Sequence, residues 1–493
     1  MAVTEHVDVA IIGAGIMGAT FGAIVRMVQP DWSIAVYERL NDVAQESSGS
    51  WNNAGTGHAG LCELNYSPQR ADGSIDIAKA IEVNEKFQVS RQFWAYAVEH
   101  SMLREPGRFI NAVDHFSFVE GAENVKYLRR RYDTLAPNPL FADLRYSADP
   151  DVLADRLPLM AADRGAAAET AVSWSGAGTD VDFGELTRQL LEFLGRTAPI
   201  HLGCEVTSLA RADPGWRLSL RDRRSGRRST VQARFVFVGA GGRTLSLLRN
   251  ARVRAVRHVG GFPVSAQFLR CTDPDVVRAH DAKVFGLPAP GAPPMAARHL
   301  DTRIVNGKRE LQFGAYSGWS PRFLQHGSAL DFPRSVGPGN AIPLLRVAIE
   351  NRPLLRFLIE DVTQSMRGRL RALRAFAPGT EADDWESITA GQRVQSVLSD
   401  GGLRSGALEF GTSVATADDG SLAGFLGTLP GASGAVSAVL DLLGRCFPDK
   451  QAQWEPVIRR MIPSHGRALN SDPVLCGEVS AWTGSALGLR PPA

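Results

Sequence analysis

The sequence is poor in paired cysteine, in excess charge and in long apolar runs. Its five cysteines form no C-x-x-C pair, which argues against a zinc site or a disulfide framework and favours a reducing compartment. The formal net charge is only +2 over 493 residues, so composition gives no indication of nucleic-acid binding. The first apolar run, Val7 to Ile12, has no basic region before it and is shorter than the ~20 residues of a bilayer span. We therefore expect neither a signal peptide nor a transmembrane helix.

The beginning of the chain has the pattern of a dinucleotide-binding βαβ unit. "VDVAII" is typical of a buried parallel strand, and "GAGIMG" follows it before a helix that ends near Pro30. Gly13 permits the tight turn, Gly15 lets a pyrophosphate approach the backbone, and Gly18 allows close helix–strand packing. Glu38 ends the next strand, "SIAVYE", where its carboxylate can accept hydrogen bonds from a ribose diol. A purely structural βαβ turn is the alternative.

The segments that follow favour FAD over NAD. After the second strand comes a polar loop and then "SWNNAGTGHAGLCELNY", whose glycines let main chain reach a flat ring without obstruction. A second glycine turn follows the strand that ends at Val238, and a third precedes an apolar helix whose N-terminus suits a negatively charged flavin edge. The alternative is that the later two turns are ordinary loops. The predicted cofactor-binding residues are Gly13, Gly15, Met17, Gly18, Glu38, Arg39, Asn53, Ala54, Gly55, Thr56, Gly57, His58, Val206, Gly239, Ala240, Gly241, Gly431, Ala432, Ser433 and Gly434.

Seven segments resemble one known family. "AQESSGSWNNAGTGHAGLCELNYSP" is similar to the signature of malate:quinone oxidoreductases. Further matches, in the family's order, are "NEKFQVSRQFWA", "GTDVDFGELTRQL", "FVFVGAGG", "GAPPMAARHLDTR", "AGQRVQ" and "IPSHGR". The resemblance implies a flavoprotein of the tricarboxylic acid cycle that binds FAD non-covalently, oxidises (S)-malate to oxaloacetate and passes electrons to a membrane quinone. It also implies a cytoplasmic protein in peripheral contact with the inner face of the cell membrane.

Malate oxidation needs a base for the hydroxyl proton and cations for two carboxylates. Arginine suits a carboxylate because its planar fork can bind both oxygens, which makes Arg303 and Arg393 candidates, with structural salt bridges as the alternative. His58 and His299 are the candidate bases. His58 could instead hydrogen-bond its own loop or the FAD, and the sequence does not rank the two histidines.

The predicted fold class is α/β, α+β overall, with a second mixed sheet-plus-helix substrate domain. A Rossmann-like FAD-binding domain is discontinuous and takes residues 1–80, 165–250 and 385–470. The substrate domain takes residues 81–164 and 251–384, and residues 471–493 form a C-terminal tail. We expect the active site at the junction of the two domains, where cofactor pockets commonly lie.

Residues 343–376 are a candidate membrane-contact segment. They hold seven arginines against three acidic residues. The apolar surface comes from Leu344, Leu345, Leu354, Leu355, Phe357 and Leu358. A basic amphipathic helix can rest on anionic lipid. The alternative is a substrate-domain helix with a solvated basic face.

Two other functions remain open from the sequence. One is an FAD-dependent dehydrogenase or oxidase of another 2-hydroxy acid. The other is a flavin-binding redox sensor that catalyses no reaction.

Overall fold

The computed structural model describes residues 5–165, 169–288, 297–337, 340–398, 407–409, 412–427 and 431–490. The strands in this part of the chain are β1 Glu5–Ile12, β2 Ile34–Tyr37, β3 Ile110–Ala112, β4 Asp114–Glu120, β5 Arg145–Ser147, β6 Thr170–Ser175, β7 Thr179–Val181, β8 Ile200–His201, β9 Cys204–Arg211, β10 Trp216–Asp222, β11 Arg228–Val238, β12 Gly260–Cys271, β13 Ala282–Phe285, β14 His299–Val305, β15 Lys308–Trp319, β16 Trp385–Thr389, β17 Arg393–Leu398, β18 Ala407–Glu409, β19 Thr412–Thr416 and β20 Leu422–Gly427. The α-helices are α1 Ile16–Val28, α2 Ala78–Glu99, α3 Ala122–Leu135, α4 Pro150–Arg156, α5 Pro158–Ala161, α6 Phe183–Gly195, α7 Thr244–Asn250, α8 Pro274–Arg278, α9 Asp331–Ser335, α10 Ala341–Glu350, α11 Arg352–Val362, α12 Met366–Phe376, α13 Ala435–Cys446, α14 Gln451–Met461 and α15 Pro473–Ala486.

The first sheet is built around the βαβ unit at the start of the chain. Its strand order is β19-β20-β11-β1-β2-β8, and β10 and β9 continue from β11 as an antiparallel extension. β1 lies between β2 and β11 and is parallel to both, which confirms the predicted strand, glycine turn, helix and second strand. Alternate residues of β1 point to opposite faces. Val9 and Ile11 pack against α1, α6 and α13, while Ala10 and Ile12 pack beneath β10 and α7.

The second sheet is larger and mostly antiparallel. Its order is β18-β17-β12-β15-β14-β13-β4-β6-β5, with β16 also paired to β12. α4, α5 and α12 cover one region of it with a core that includes Leu157, Met160 and Leu373. α10 and α11 cover the region of β12 and β17, where Leu344 and Leu358 are buried. Together with the first sheet this is the mixed α/β architecture that we predicted.

The sheets divide the chain at positions other than the predicted boundaries. β6 was predicted in a nucleotide-binding block, but it pairs with β4 of the second sheet, with Trp174 opposite Phe116. β16 and β17 likewise pair with β12. Conversely, α2 packs against α13, and its Phe87 and Trp94 are in the core beneath the first sheet. The reason is that the sheet to which a strand belongs depends on pairing partners far away in sequence.

The C-terminal segment is also more than a tail. α15 packs on α2, and Trp482 donates a hydrogen bond from Nε1 to Glu99 at 2.9 Å. Across the described ranges, no helix combines the length and the apolar character needed to cross a bilayer.

Two glycines inside helices provide a matched test of the packing of α1 on β1. A Cβ atom at Gly18 would lie 2.2 Å from the carbonyl oxygen of Gly13, whereas a Cβ atom at Gly444 in α13 would meet no atom within 4 Å. We expect Gly18→Ala to destabilise the protein by about 1–3 kcal/mol, because the helix must move off the strand. Gly444→Ala should stabilise it by about 0.5–1 kcal/mol through helix propensity. Calorimetric melting temperatures measure both effects, and equal shifts would contradict the close contact.

Candidate active site

A cavity of about 300 Å³ lies where the two sheets meet. The first sheet contributes its glycine turns, the ends of β1 and β2 and the beginning of β9. The second sheet contributes Gly260 of β12 and the beginning of β17. The predicted site residues that line it are Gly13, Gly15, Met17, Glu38, Arg39, Asn53, Ala54, Gly55, Thr56, His58, Val206, Gly239, Ala240, Gly241, Arg393, Gly431, Ala432 and Ser433. The cavity does not include Gly18, Gly57, Gly434, His299 and Arg303.

The first glycine turn brings backbone to the cavity. Gly13 has a φ of +102°, and a Cβ atom there would lie 2.4 Å from the carbonyl oxygen of Gly239, so the first two glycine turns touch. Gly15 is the N-cap of α1 and has no side chain to bond the free amides of the first turn. Ser48 supplies one partner, because its Oγ accepts a hydrogen bond from the Ile16 amide at 3.0 Å.

Glu38 follows β2 and is held by main-chain donors. Its Oε2 accepts a hydrogen bond from the Ala14 amide at 2.8 Å, and its Oε1 accepts one from the Leu40 amide at 2.8 Å. Burial raises the pKa of the Glu38 carboxyl, and the two amides oppose that rise. The side chain is therefore fixed at the rim of the cavity with lone pairs left for a ligand hydroxyl.

A buried cluster of three charged side chains binds the main chain of the glycine-rich stretch. Asp180 Oδ1 lies 2.8 Å from Arg303 Nε and 2.9 Å from Lys283 Nζ, and all three side chains are fully buried. Lys283 also donates to the carbonyl oxygen of Ala54 at 2.8 Å. Arg303 donates to the carbonyl oxygens of Asn53 at 2.6 Å and of Ser50 at 2.9 Å.

Arg303 therefore does not fit the role of a substrate-carboxylate ligand that we predicted for it. Its Nε, Nη1 and Nη2 all have protein partners, and none of its surface is exposed. Gly55, with a φ of +60°, is needed because a Cβ atom there would lie 2.5 Å from the Arg303 guanidinium. In the sequence, Arg303 is known only as an arginine four residues after His299. That spacing does not show whether its side chain lies in the cavity or in the buried core.

His58 lies in the cavity wall and has a carboxylate partner. Its Nδ1 is 2.5 Å from Oε1 of Glu63, whose side chain is only 3% exposed. Burial raises the pKa of the Glu63 carboxyl, but the hydrogen bond and charge interaction with His58 oppose this and bring the pKa down to about 2. Because Nδ1 is engaged, Nε2 is the ring nitrogen left to act on a ligand.

The loop that carries Glu63 is itself anchored. Arg131 of α3 is fully buried and donates to the carbonyl oxygens of Gly60 and Leu61, both at 3.0 Å. Ser433, just before α13, accepts a hydrogen bond from the His58 amide at 3.1 Å and donates to the carbonyl oxygen of Thr56 at 3.0 Å. The third glycine turn and the glycine-rich stretch are thus joined at His58.

His299 has a similar partner but a different position. Its Nδ1 is 2.6 Å from Oδ2 of Asp301, and its ring stacks on Phe285 with centroids 4.5 Å apart. The residue is only 7% exposed and does not line the cavity. Of the two candidate bases, only His58 borders the cavity.

Arg393 begins β17 and faces the cavity beside two glutamines. The Ser47 hydroxyl donates to the carbonyl oxygen of Gln392 at 2.8 Å, which ties this strand end to the polar loop. Burial lowers the pKa of Arg393, and no aspartate or glutamate among the described residues forms an ion pair with it. Oε1 of Gln392 and Oε1 of Gln395 are buried without a partner in that same part of the chain. The half-buried cation suits an anionic group of a ligand, and the unused acceptors suit a hydrogen-bond donor such as a ligand hydroxyl.

Several residues of the site were missed from the sequence. Glu63 has a visible signal, an acid five residues after His58 in a stretch with few side chains. Ser48 and Lys283 have none, because their partners lie 32 and 229 residues away. Arg243 and Glu205, which are 2.5 Å apart and line the cavity, likewise meet only in the folded chain.

Comparisons with known proteins agree on the family. The model of the family "Malate:quinone oxidoreductase (Mqo)" matches residues 5–489. A probable malate:quinone oxidoreductase of Rhodococcus jostii is 51% identical over 99% of this chain and 97% of its own length. One of Mycolicibacterium paratuberculosis is 52% identical over 99% of this chain and 98% of its own length.

Solved structures with low sequence identity share the fold. An FAD-bound L-α-glycerophosphate oxidase of Mycoplasma pneumoniae has a TM-score of 0.58 at 14% identity and covers 90% of this chain and 94% of its own. Glycine oxidase of Geobacillus kaustophilus has a TM-score of 0.54 at 15% identity and covers 90% of this chain and 95% of its own. The predicted Rossmann-like flavoprotein fold is confirmed. The family match over nearly the whole chain, together with this fold, means that the chain belongs to the malate:quinone oxidoreductase family.

Proposed function

We propose that this chain oxidises (S)-malate to oxaloacetate in the cavity between its two sheets, with FAD as cofactor and a membrane quinone as electron acceptor. The family match supports the reaction. The observation that carries the residue-level proposal is that His58, with its Glu63 partner, and Arg393 border one cavity. FAD, when bound, supplies the acceptor for the hydride that leaves C2 of malate.

The residues of the cavity fit an FAD molecule. Gly13, Gly15 and Met17 would hold the pyrophosphate at the start of α1, where amides and the helix dipole favour negative charge. Glu38 would accept hydrogen bonds from the ribose, beside Arg39. The residues that would contact the rest of the cofactor are Asn53, Ala54, Gly55, Thr56, Val206, Gly239, Ala240, Gly241, Gly431, Ala432 and Ser433, all of which line the cavity.

Gly18, Gly57 and Gly434 would support the cofactor site without touching it. A Cβ atom at Gly18 or Gly57 would be within 2.2 Å of protein atoms, so both are needed for packing. Gly434 is the N-cap of α13 and begins the helix that follows Ser433.

His58 is the proposed base. Glu63 fixes Nδ1, so Nε2 is the nitrogen that would accept the hydroxyl proton of malate. The ionised Glu63 would also stabilise the positive charge that the ring then carries. His299 is the less favoured base because its ring is packed on Phe285 outside the cavity.

Arg393 is the proposed carboxylate ligand. A guanidinium can bind both oxygens of one malate carboxylate, and partial burial strengthens that interaction. The substrate's second carboxylate and its hydroxyl require further polar groups, and the adjacent Gln392 and Gln395 offer amides. We also propose that the protein contacts the cytoplasmic face of the cell membrane peripherally, because its acceptor is a membrane quinone.

Replacing His58 tests the assignment of the base. We expect His58→Gln to slow reduction of the bound flavin by malate at least ~100-fold, because the hydroxyl proton loses its acceptor. Stopped-flow absorbance on FAD-saturated protein measures the rate. His299→Gln is the matched control and should lower the rate by less than about threefold. A large loss in His299→Gln with an unchanged rate in His58→Gln would reverse the assignment.

Replacing Glu63 tests the orientation of His58. Glu63→Gln keeps the size of the side chain but removes the charge that steadies the protonated ring, so we expect flavin reduction to slow ~10- to 100-fold. The KM for malate should stay within about threefold, because Glu63 does not line the cavity. Glu63→Asp should recover part of the rate. Equal rates for Glu63→Gln and the unsubstituted protein would contradict the role.

Replacing Arg393 should affect the binding of malate, whereas replacing Arg303 should affect the stability of the protein. Arg393→Gln should raise the KM for malate about 10- to 100-fold, since a hydrogen bond to a charged group contributes about 1.5–3 kcal/mol. Arg303→Gln should instead lower the melting temperature and the FAD content, because it leaves Asp180 with a single cation. Steady-state kinetics and calorimetry on both variants distinguish the roles. A raised KM in Arg303→Gln with normal stability would restore our original prediction for that residue.

A further inference from the structure

An exposed apolar stripe runs along one side of α10. Ile342, Leu345 and Ile349 are 43%, 62% and 48% exposed. Residues three and four positions apart lie on the same side of a helix, so these three side chains form one face. Val336, shortly before the helix, adds another aliphatic side chain that is 40% exposed. We call these four residues the α10 face. Contiguous apolar surface of this kind usually marks an interaction site.

The other side of α10 packs on the wall of the candidate active site. Leu344 is buried in a cluster with Phe262 and Val397 of the second sheet. A Cβ atom added at Gly260 would lie 2.9 Å from Cδ2 of Leu344, and Gly260 lines the cavity. A single layer of side chains therefore separates the lining of the cavity from the helix that carries the α10 face.

The surface beside the α10 face carries more basic than acidic groups. Arg334 in α9 and Arg352 at the beginning of α11 are exposed, and Glu350 is an exposed acid between them. A loop of residues 252–258 adds further arginines. It is tied to the end of α9 because Arg249 donates to the carbonyl oxygens of Ser335, at 2.8 Å, and of Val259. The exposed arginines of this loop are Arg252, Arg254 and Arg257, and Arg254 already pairs with Asp418, whose Oδ2 lies 3.5 Å from its Nη1.

We infer that the α10 face is the surface with which this chain rests on the bilayer that holds its quinone. The apolar side chains would enter the boundary between headgroups and acyl chains, and the neighbouring arginines would contact anionic headgroups. The inference rests on the proposed function, since a quinone acceptor brings the protein to a bilayer. A second copy of the chain is a poorer partner, because a two-fold contact would bring the arginines of one copy against those of the other.

The α10 face overlaps only the beginning of the candidate membrane-contact segment, residues 343–376, for which the alternative was a solvated basic face. Residues 343–376 form three helices, and the exposed Arg367, Arg371 and Arg374 lie on α12. α12 packs by Leu370 and Leu373 onto the core that covers another region of the second sheet. The basic side of α12 therefore lacks the exposed large aliphatic residues of the α10 face, which makes α12 a control for charge without apolar insertion.

The test compares two double variants of the FAD-loaded full chain. Leu345→Glu/Ile349→Glu places two charges on the α10 face, and Arg367→Glu/Arg371→Glu reverses two charges on α12. Each is sedimented with vesicles of phosphatidylglycerol and phosphatidylethanolamine, and with vesicles of phosphatidylcholine alone. We expect the α10 variant to lose at least tenfold in vesicle-bound fraction and the α12 variant to stay within twofold of the unsubstituted protein. The unsubstituted protein should bind vesicles of phosphatidylcholine alone more weakly than vesicles that contain phosphatidylglycerol.

Activity with two acceptors separates failure of the surface from failure of the proposed function. The α10 variant should reduce a water-soluble dye with malate at the normal rate and lose reduction of an isoprenoid quinone in vesicles. If it binds vesicles normally, the assignment of the surface is wrong. If light scattering shows that it only dissociates an oligomer, the face is a self-contact and the inference is overturned. If the unsubstituted protein reduces no dye with malate, the proposed function fails, whatever the vesicles show.

Discussion

The contact of Asp180 with Lys283 and Arg303 ties β7 and the glycine-rich stretch to the second sheet beside the candidate active site. Three charged side chains are fully buried there, and such charges are tolerated only when they are paired and hydrogen-bonded. The cations come from β13 and β14 of the second sheet, yet their remaining donors bind carbonyl oxygens of Asn53 and Ala54 in the glycine-rich stretch. A segment with so few side chains cannot order itself, so it is ordered through its main chain.

The same stretch shows why two histidine–carboxylate pairs are not equivalent. His58 and His299 each have a carboxylate on Nδ1, at 2.5 Å and 2.6 Å. On the basis of this pairing alone, His58 and His299 would be equally suitable as a base. What separates them is access, since His58 borders the cavity and His299 stacks on Phe285. The hydrogen bond and charge interaction with His58 lower the pKa of Glu63 to about 2, against the effect of burial, so this carboxylate is ionised beside the protonated ring.

Solved structures with low sequence identity share the fold of this chain although their names refer to different substrates. Flavoproteins named for glycerophosphate and glycine share this fold at 14% and 15% identity. A fold shared among such different substrates explains how the cofactor is held and leaves the substrate to side chains around it. The side chains that we propose for the substrate come from both sides of the cavity. His58 lies on the glycine-rich stretch, and Arg393 begins β17 of the second sheet.

Local patterns were sufficient for the nucleotide-binding half of the protein. The turn of Gly13, the strand that ends before Glu38 and the helix after Gly434 were all predicted, because each depends on neighbours within a few tens of residues. The roles of other residues depend on partners that lie more than a hundred positions away in the sequence. Arg303 has the residue type of a carboxylate ligand, but it became a buried partner of Asp180, 123 residues away. β17 lies in residues 385–470, which we predicted to be part of the FAD-binding domain, and its pairing with β12 of the second sheet could not be read from its own residues. Backbone geometry is encoded locally, whereas burial and ion pairing arise only when distant segments pack together.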